Sequence, residues 1–137
     1  MLPFLNIFFF VFHTGLVLFN MTGWMFKKTR RWNLITLGVT LGSWIVLGFW
    51  KGFGYCACTD YHWKIRQEMG LTNESDSYIH FLILKLTGLD VPGEVVLWIT
   101  GAGFVISVGM SITLNLRDFF DARSKRAQRA AGQLTPP

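Results

Sequence analysis

The residues best suited to chemistry lie in one short stretch, YCACTDYHWKIRQ, which runs from Tyr55 to Gln67. It combines two thiols, a carboxylate and an imidazole within a few helical turns. Thiols can exchange disulfides, and thiols and imidazoles can ligate metals or haem. A Cys-x-Cys pair followed by a histidine four residues later is not a standard zinc spacing. The stretch therefore fits three roles: chemistry, recognition of a partner, or closure of one end of a helical bundle.

Cys56 and Cys58 have three interpretations. They are either two thiols buried among apolar groups at a membrane interface, a redox pair, or ligands of a metal or haem. A disulfide between residues only two positions apart closes a small, strained ring. Such a bond is a poor structural staple, although strain makes it easy to reduce.

The rest of the stretch fits either a site or an amphipathic helix. Thr59 or Asp60 is predicted to cap a short helix that ends at Gly70. In the structural interpretation, His62 and Arg66 only bond to nearby carbonyl groups. In the functional interpretation they belong to a polar site. The candidate site residues of this stretch are Cys56, Thr59, Asp60, His62, Trp63 and Arg66.

A second polar group lies in the apolar segment at the start of the chain. Asn6, His13 and Asn20 are seven residues apart, so they share one face of a helix. Polar groups deep in a membrane are costly and usually face the interior of a bundle. They either form hydrogen bonds between helices or line a polar pocket around His13 that opens toward the Cys56–Arg66 stretch. Hydroxyl side chains are similarly spaced in two later segments: Thr36, Thr40, Ser43, Thr100, Ser107 and Ser111.

Three apolar segments must position these residues. They are Leu2–Phe26, Leu34–Trp50 and Val95–Leu114, and a membrane span needs about 20 such residues. Of the 137 residues, 51% are hydrophobic and 15% are charged, whereas soluble domains have about 25% charged residues. Residues 1–6 carry no basic side chain and no small-x-small cleavage site follows, so we expect a retained helix rather than a signal peptide.

Charged residues flank these segments asymmetrically. Nine of the 13 basic residues lie in the link 27–31 or beyond residue 116, and six of the eight acids lie between the second and third segments. The positive-inside rule places the link and the C-terminus in the cytoplasm, and Met1 and residues 51–92 outside. Charges that flank apolar segments favour a membrane over a nucleic acid as partner. The terminal Arg/Lys run would set orientation and bind anionic lipid head groups.

A second short helix is predicted at Tyr78–Leu86, capped by Asp76 or Ser77 and ended by Gly88. It is too short to span a membrane and should pack on the bundle at the outer interface. Its predicted packing face consists of Ile79, Leu82, Ile83 and Leu86.

These patterns predict an all-α fold, an integral membrane bundle of three transmembrane helices with a short two-helix extracytoplasmic segment between the second and third. Asp90 and Pro92 are predicted to begin the third span. Residues 1–116 would form a single membrane domain and residues 117–137 a cytoplasmic basic tail. The predicted spans cover about residues 2–26, 33–50 and 93–115, and the extracytoplasmic segment covers residues 51–92.

The stretch around Cys56 resembles the signature of a small bacterial membrane-protein family of unknown function, Phe-Gly-x-Cys-Pro-Leu-Thr followed by aromatic residues and Leu-Arg. The matching residues are Phe53, Gly54, Cys56, Thr59, Trp63 and Arg66, with Ile65 in place of Leu, and also His13 and Asn20. Ala57 and Cys58 replace Pro-Leu, which makes Cys56 the more interesting thiol. The resemblance covers about residues 10–115 and implies this architecture and a bacterial inner membrane, but no reaction.

Two functional hypotheses follow, and whether the protein is an enzyme stays open. The first is an accessory or complex-forming subunit whose partners are the lipid bilayer and other membrane subunits or itself, since the chain is small and lacks acid–base or phosphate-binding motifs. The second is a membrane-embedded redox, metal/haem or quinone/lipid-binding protein with a pocket around His13 and the Cys56–Arg66 stretch. Its candidate ligands for a metal or haem are His13, Cys56, His62 and His80. The sequence does not identify the cofactor.

A first prediction concerns orientation. A reporter fused after Arg129 should behave as cytoplasmic, and one inserted near Asn73 as extracytoplasmic, because the Lys/Arg bias sets topology. Fusions to a reporter that is active only in the cytoplasm and to one that is active only outside it measure this directly. The reverse pattern would contradict the placement of the whole Tyr55–Gln67 stretch.

Overall fold

The computed structural model describes residues 1–51, 56–72 and 77–133, and these residues are helical apart from short turns. Three of the helices are long and apolar enough to cross a membrane. The predicted all-α class is therefore confirmed, together with three helices suited to spanning. In chain order the elements are α1 (Leu2–Thr22), a 3-10 turn (Gly23–Met25), α2 (Arg30–Lys51), α3 (Ala57–Glu68), α4 (Tyr78–Thr87) and α5 (Gly93–Gln133).

Two of the long helices extend beyond the apolar pattern. α2 begins at Arg30 rather than at residue 33, because no residue between them breaks a helix. α5 has 41 residues and continues to Gln133. At 1.5 Å per residue it is about 60 Å long, roughly twice the hydrocarbon thickness of a bilayer. The alanines and arginines of its last turns favour helix and carry it past the apolar part.

The start of α3 differs from the prediction. Cys56 has an extended backbone and is the N-cap residue, so Thr59 and Asp60 lie in the first turn instead of capping it. The Asp60 carboxylate complements the positive end of the helix dipole there. It also pairs with Lys64, one turn later, at 2.8 Å.

The ends of the two short helices agree with the prediction. Gly70 and Gly88 follow α3 and α4 with φ of +72° and +71°. Glycine adopts this left-handed conformation without a steric penalty, so each terminates its helix. Ser77 occupies the N-cap position of α4, and the alternative cap Asp76 lies outside the described residues.

The helices pack around α1. α3 covers one half of α1, and α2 and α5 pack on each other and contact α1. Leu37 of α2 is buried, and the Trp44 ring lies 4.7 Å from the ring of Phe104 on α5. Most other large apolar side chains are exposed, as expected for helices whose outer faces contact lipid.

α3 runs antiparallel to α1. Cys56 lies against His13, and His62 lies against Asn6. The six residues from Cys56 to His62 rise about 9 Å, and the seven from Asn6 to His13 rise about 10 Å. The matching lengths show two helices side by side, so α3 lies along a spanning helix and not only at its end.

The packing face of α4 was predicted wrongly. Tyr78 and Phe81 are the buried residues, whereas Leu86 is 69% exposed. Phe81 packs edge-on against Phe10 of α1, with ring centroids 6.3 Å apart. Tyr78 and Phe81 face the bundle because aromatic side chains have more apolar area to bury than the aliphatic residues of this helix. Of the predicted face, Ile79, Leu82 and Ile83 are half-buried and Leu86 is exposed.

The start of α5 was predicted in part. The Pro92 carbonyl accepts hydrogen bonds from the backbone N–H groups of Val95 and Val96, so the helix begins where expected. Asp90 does not cap it. Its Oδ1 instead lies 2.9 Å from His80 Nε2 on α4.

The connection from α1 to α2 depends on one close approach. A Cβ atom on Gly23 would lie 2.9 Å from Asn33 Nδ2 and 3.0 Å from Phe19 Cε2. Asn33 is fully buried, and its amide donates to the Phe19 and Asn20 carbonyls over 2.7 and 3.3 Å. These bonds join the end of α1 to the start of α2, and only glycine leaves room for them.

A second prediction tests this contact with a matched pair of variants. Gly23→Ala should lower the free energy of unfolding by about 1–3 kcal/mol, because Asn33 must move. Gly15→Ala is the control, since nothing lies within 4 Å of its Cβ position. It should leave stability unchanged or raise it by roughly 0.5–1 kcal/mol. Thermal unfolding in mild detergent measures both, and equal effects would contradict the close approach.

Candidate functional site

The polar face of α1 divides between two neighbours. Asn6 and His13 face α3 and α4, whereas Asn20 faces α2. The Asn20 amide donates to Thr40 Oγ1 over 3.0 Å. The structure therefore brings two of the three residues to the Cys56–Arg66 stretch. The third takes part in a contact between α1 and α2.

We use the term imidazole cluster for Asn6, His13, Cys56, His62 and Tyr78. His13 lies at its centre and is buried. Its ring stacks on Tyr78 with centroids 3.9 Å apart and planes tilted by 18°. Its Nε2 atom lies 3.9 Å from Cys56 Sγ. The imidazole is thus held between a phenol ring and a thiol from two other helices.

Tyr78 links α4 to α1 through its hydroxyl group. The phenol donates to the Phe10 carbonyl over 2.9 Å and lies 2.8 Å from Thr14 Oγ1. Since the phenol has one proton, the Thr14 hydroxyl donates to it in turn. Burial raises the pKa of Tyr78, and the hydrogen bonds with Thr14 offset part of this rise. Tyr78 therefore stays a neutral phenol that fixes the ring against His13.

The sequence pattern predicts Tyr78 only as the first residue of a helix. A buried tyrosine usually needs a partner for its hydroxyl group. That requirement was the feature of the sequence that could have indicated a contact for the Tyr78 hydroxyl. It could not name the partner, because Thr14 lies 64 residues earlier in the chain.

His62 is the most enclosed member of the imidazole cluster, with 1% of its surface exposed. Its Nε2 atom lies 2.8 Å from Asn6 Oδ1. Burial lowers the pKa of His62 below its usual value, and the nearby Arg66 charge lowers it further. His62 is therefore neutral near pH 7. Because an amide oxygen can only accept, the proton of His62 is on Nε2 and Nδ1 has a free lone pair.

Arg66 and Trp63 form an aromatic and cationic wall beside His62. The Arg66 guanidinium lies 4.7 Å from the centre of the Phe81 ring and 6.0 Å from that of Trp63. It also donates to the Thr72 carbonyl over 3.1 Å. The contacts with Phe81 and with the Thr72 carbonyl together join the loop after α3 to α4. The predicted residues Arg66 and Trp63 thus lie next to the cluster.

Other predicted site residues lie apart from these contacts. Thr59 is half-buried, and Asp60 pairs with Lys64 on a partly exposed surface. His80 pairs with Asp90. Among the described residues, no three His, Cys, Asp or Glu side chains come close enough to hold a metal ion. Of the four candidate metal ligands, His80 lies outside the imidazole cluster, whereas His13, Cys56 and His62 belong to it.

Both cysteines are free and half-buried, rather than fully buried or joined in a disulfide. Burial raises the pKa of Cys58, and the adjacent Cys56 raises it further. A raised pKa keeps a thiol protonated and unreactive, since the thiolate is the nucleophile. The Cys56 thiol lies 3.9 Å from the His13 imidazole.

Two atoms of the imidazole cluster remain available for binding. The Nδ1 atoms of His13 and His62 are buried and have no hydrogen-bond partner among residues 1–51, 56–72 and 77–133. A buried polar atom without a partner costs about 1–3 kcal/mol. A hydrogen-bond donor bound at either atom would satisfy it. The imidazole cluster can therefore accept a hydrogen bond at each of these two nitrogen atoms.

The fold and this cluster define a class of protein: a small helical protein with three helices suited to crossing a membrane. The chain belongs to the family described as Protein of Unknown function (DUF2784), whose model matches residues 3–116. The predicted membership of a family of unknown function is thus confirmed, while the signature motif and a bacterial origin stay predictions. No curated protein and no solved structure matches the chain.

A third prediction separates a structural role of His13 from a ligand-binding one. His13→Leu and His13→Gln both remove the stack on Tyr78 and the contact with Cys56. Aromatic stacking contributes about 0.5–1.5 kcal/mol and an intramembrane hydrogen bond about 0.6 kcal/mol. For a structural His13, each variant should lose about 1–2 kcal/mol of stability in detergent and co-purify with the same molecules as the wild type.

The control variant is His80→Gln, which removes an imidazole outside the imidazole cluster. It should change stability by less than about 1 kcal/mol, since its partner Asp90 is 81% exposed and such a contact contributes little. Melting curves and mass spectrometry of co-purified molecules provide the measurements. A His13 variant that stays as stable as the wild type but loses a bound molecule would contradict the structural role.

Proposed function

We propose that the protein is a complex-forming membrane subunit, and that it associates through the outer face of α2. The observation that carries this is a pair of glycines one helical turn apart, Gly38 and Gly42. Among the described residues, nothing lies within 4 Å of the position of a Cβ on either glycine. A glycine pair with this spacing lets two helices approach closely in lipid.

The two faces of α2 differ in a way that supports this. The inner face holds Asn33, Leu37 and Trp44, which pack on α1 and α5. The outer face holds the two glycines together with large apolar side chains, among them Ile35 at 54% and Phe49 at 84% exposure. The glycines therefore form a shallow groove between bulky residues.

Among the described residues, no close contact requires a glycine at either position. Glycine inside a helix costs roughly 1 kcal/mol relative to alanine. Gly23 offsets such a cost with its close approach to Asn33, but Gly38 and Gly42 have no comparable contact. A neighbouring helix in the groove would provide one.

The occupant we propose is α2 of a second copy of this chain. Two identical faces with this spacing are self-complementary, and a two-fold axis brings the same residues into contact. Several polar side chains of the long helices already have hydrogen-bond partners within the chain, as Asn20 has in Thr40. These side chains are therefore not needed for a contact between copies. Close backbone packing then remains as the means of association.

The proposed orientation follows from charge. The connection between α1 and α2 and the end of α5 would face the cytoplasm, because most basic residues lie there. The imidazole cluster would then lie in the opposite half of the bilayer.

A fourth prediction tests the groove. The double variant Gly38→Ile/Gly42→Ile should lower the fraction of dimer at least tenfold, because side chains would fill the groove. Gly15→Ile is the matched control, since Gly15 is an exposed helical glycine with the same open surroundings on α1. Single-molecule photobleaching of the labelled chain in vesicles counts copies per complex.

The control should keep the wild-type distribution. If the wild type is a monomer in vesicles, the second copy is the wrong occupant. If both glycine variants behave alike, the groove on α2 is not the contact surface.

The second candidate function is binding of a small polar molecule or a redox group by the imidazole cluster. The observation that favours it is the pair of buried Nδ1 atoms on His13 and His62, together with the Cys56 thiol 3.9 Å from His13 Nε2. The His13 variants described above test it, because neither glutamine nor leucine supplies an imidazole nitrogen.

A further inference from the structure

An open cleft of about 850 Å³ lies at the end of the bundle opposite the imidazole cluster. One wall is the connection between α1 and α2 together with the first turns of α2. The other wall is α5 beyond the middle of its length. The two walls belong to parts of the chain about 90 residues apart, so neither of the basic segments forms the cleft alone.

The cleft contains a high density of positive charge. Its five basic residues besides Arg30 have no ion-pair partner among the residues that the structure describes. They lie on both walls: Lys27, Lys28, Arg31, Arg123 and Arg126. Such a concentration of like charges is unfavourable by itself and attracts an anion.

One ion pair holds the two walls together. The Arg30 guanidinium donates to both carboxylate oxygens of Asp118, over 3.1 and 2.9 Å. Its Nε also donates to the Trp24 carbonyl over 3.1 Å. This pair neutralises Asp118, the acid in the cleft lining, so the five remaining charges are not offset by it.

The floor of the cleft is apolar. Leu34 of α2 and Ile112, Leu116 and Phe119 of α5 line it. Leu116 and Phe119 are more than half exposed. They continue the apolar outer surface of the spanning part of α5 into the basic cleft. A ligand that fits both parts must have an anionic end and a hydrocarbon end.

We propose that this cleft binds one anionic phospholipid, with its phosphate among the basic residues and its acyl chains along the apolar floor. Basic pockets between helices at a membrane surface commonly bind such head groups. A soluble phosphate would use the basic residues and leave the apolar floor unfilled. The lipid uses both, which is why we prefer it as the occupant.

The test uses the full-length chain in nonionic detergent and two lipids with identical acyl chains. Native mass spectrometry measures binding of dioleoyl phosphatidylglycerol and of dioleoyl phosphatidylcholine. We expect one tightly bound phosphatidylglycerol and at least tenfold weaker binding of phosphatidylcholine.

Two double variants remove equal charge from different places. Arg31→Gln/Arg123→Gln removes one basic residue from each wall of the cleft. Lys125→Gln/Arg129→Gln is the control, because these residues belong to the same basic run but do not line the cleft. At about fivefold per charge, the cleft variant should bind phosphatidylglycerol about 30-fold more weakly. The control should stay within twofold of the wild type.

Three results would overturn the proposal. Equal weakening in both double variants would indicate a diffuse basic surface. Equal binding of the two lipids would indicate that the cleft does not distinguish an anionic head group from one without net charge. Displacement of the lipid by millimolar glycerol 3-phosphate or inorganic phosphate would make the occupant a soluble phosphate. Should the cleft variant unfold, Lys27→Gln/Arg126→Gln removes the same charge from the same two walls and should give the same 30-fold loss.

Discussion

The arrangement of the helices depends on one constraint: a polar side chain inside a bilayer cannot turn to water and must find its partner in the protein. α1 carries such side chains along one face. Asn6 meets His62, Thr14 meets Tyr78, and Asn20 meets Thr40. Each pair links α1 to a different helix, so polar residues of α1 contribute to the positions of α3, α4 and α2.

The two ends of the bundle meet this constraint with different chemistry. At one end, neutral imidazoles, a phenol and aromatic rings surround His13 and His62. At the other end, the Arg30 guanidinium binds both carboxylate oxygens of Asp118 beside a run of basic residues. The Arg66 charge beside the imidazoles is buried over the Phe81 ring, and this contact offsets part of the cost of enclosing a charge. Charged groups suit an end that reaches water and lipid head groups.

The sequence predicted the helices well because periodicity and capping are local. The spanning segments, the stops at Gly70 and Gly88 and the shared face of Asn6, His13 and Asn20 all depend on neighbouring residues. The contacts were harder, since they join distant parts of the chain. Tyr78 was overlooked and the packing face of α4 was misassigned for the same reason: both depend on the surface of α1. Asp60 and Asp90 were assigned as caps from residue type, but each instead pairs with a cation or a histidine.

The pairing of α1 with its neighbours also sets an order for insertion during synthesis. Asn20 bonds to a residue 20 positions later, whereas Thr14 and Asn6 wait for partners 64 and 56 positions later. A ribosome that adds about 5–20 residues per second needs roughly 3–13 s to make the longer interval. For a chain that inserts as three spans, Asn6 and Thr14 in the first half of α1 would lack these partners during that time, while Asn20 in the second half could already bond to α2. The two ends of the first helix would then be assembled at different times.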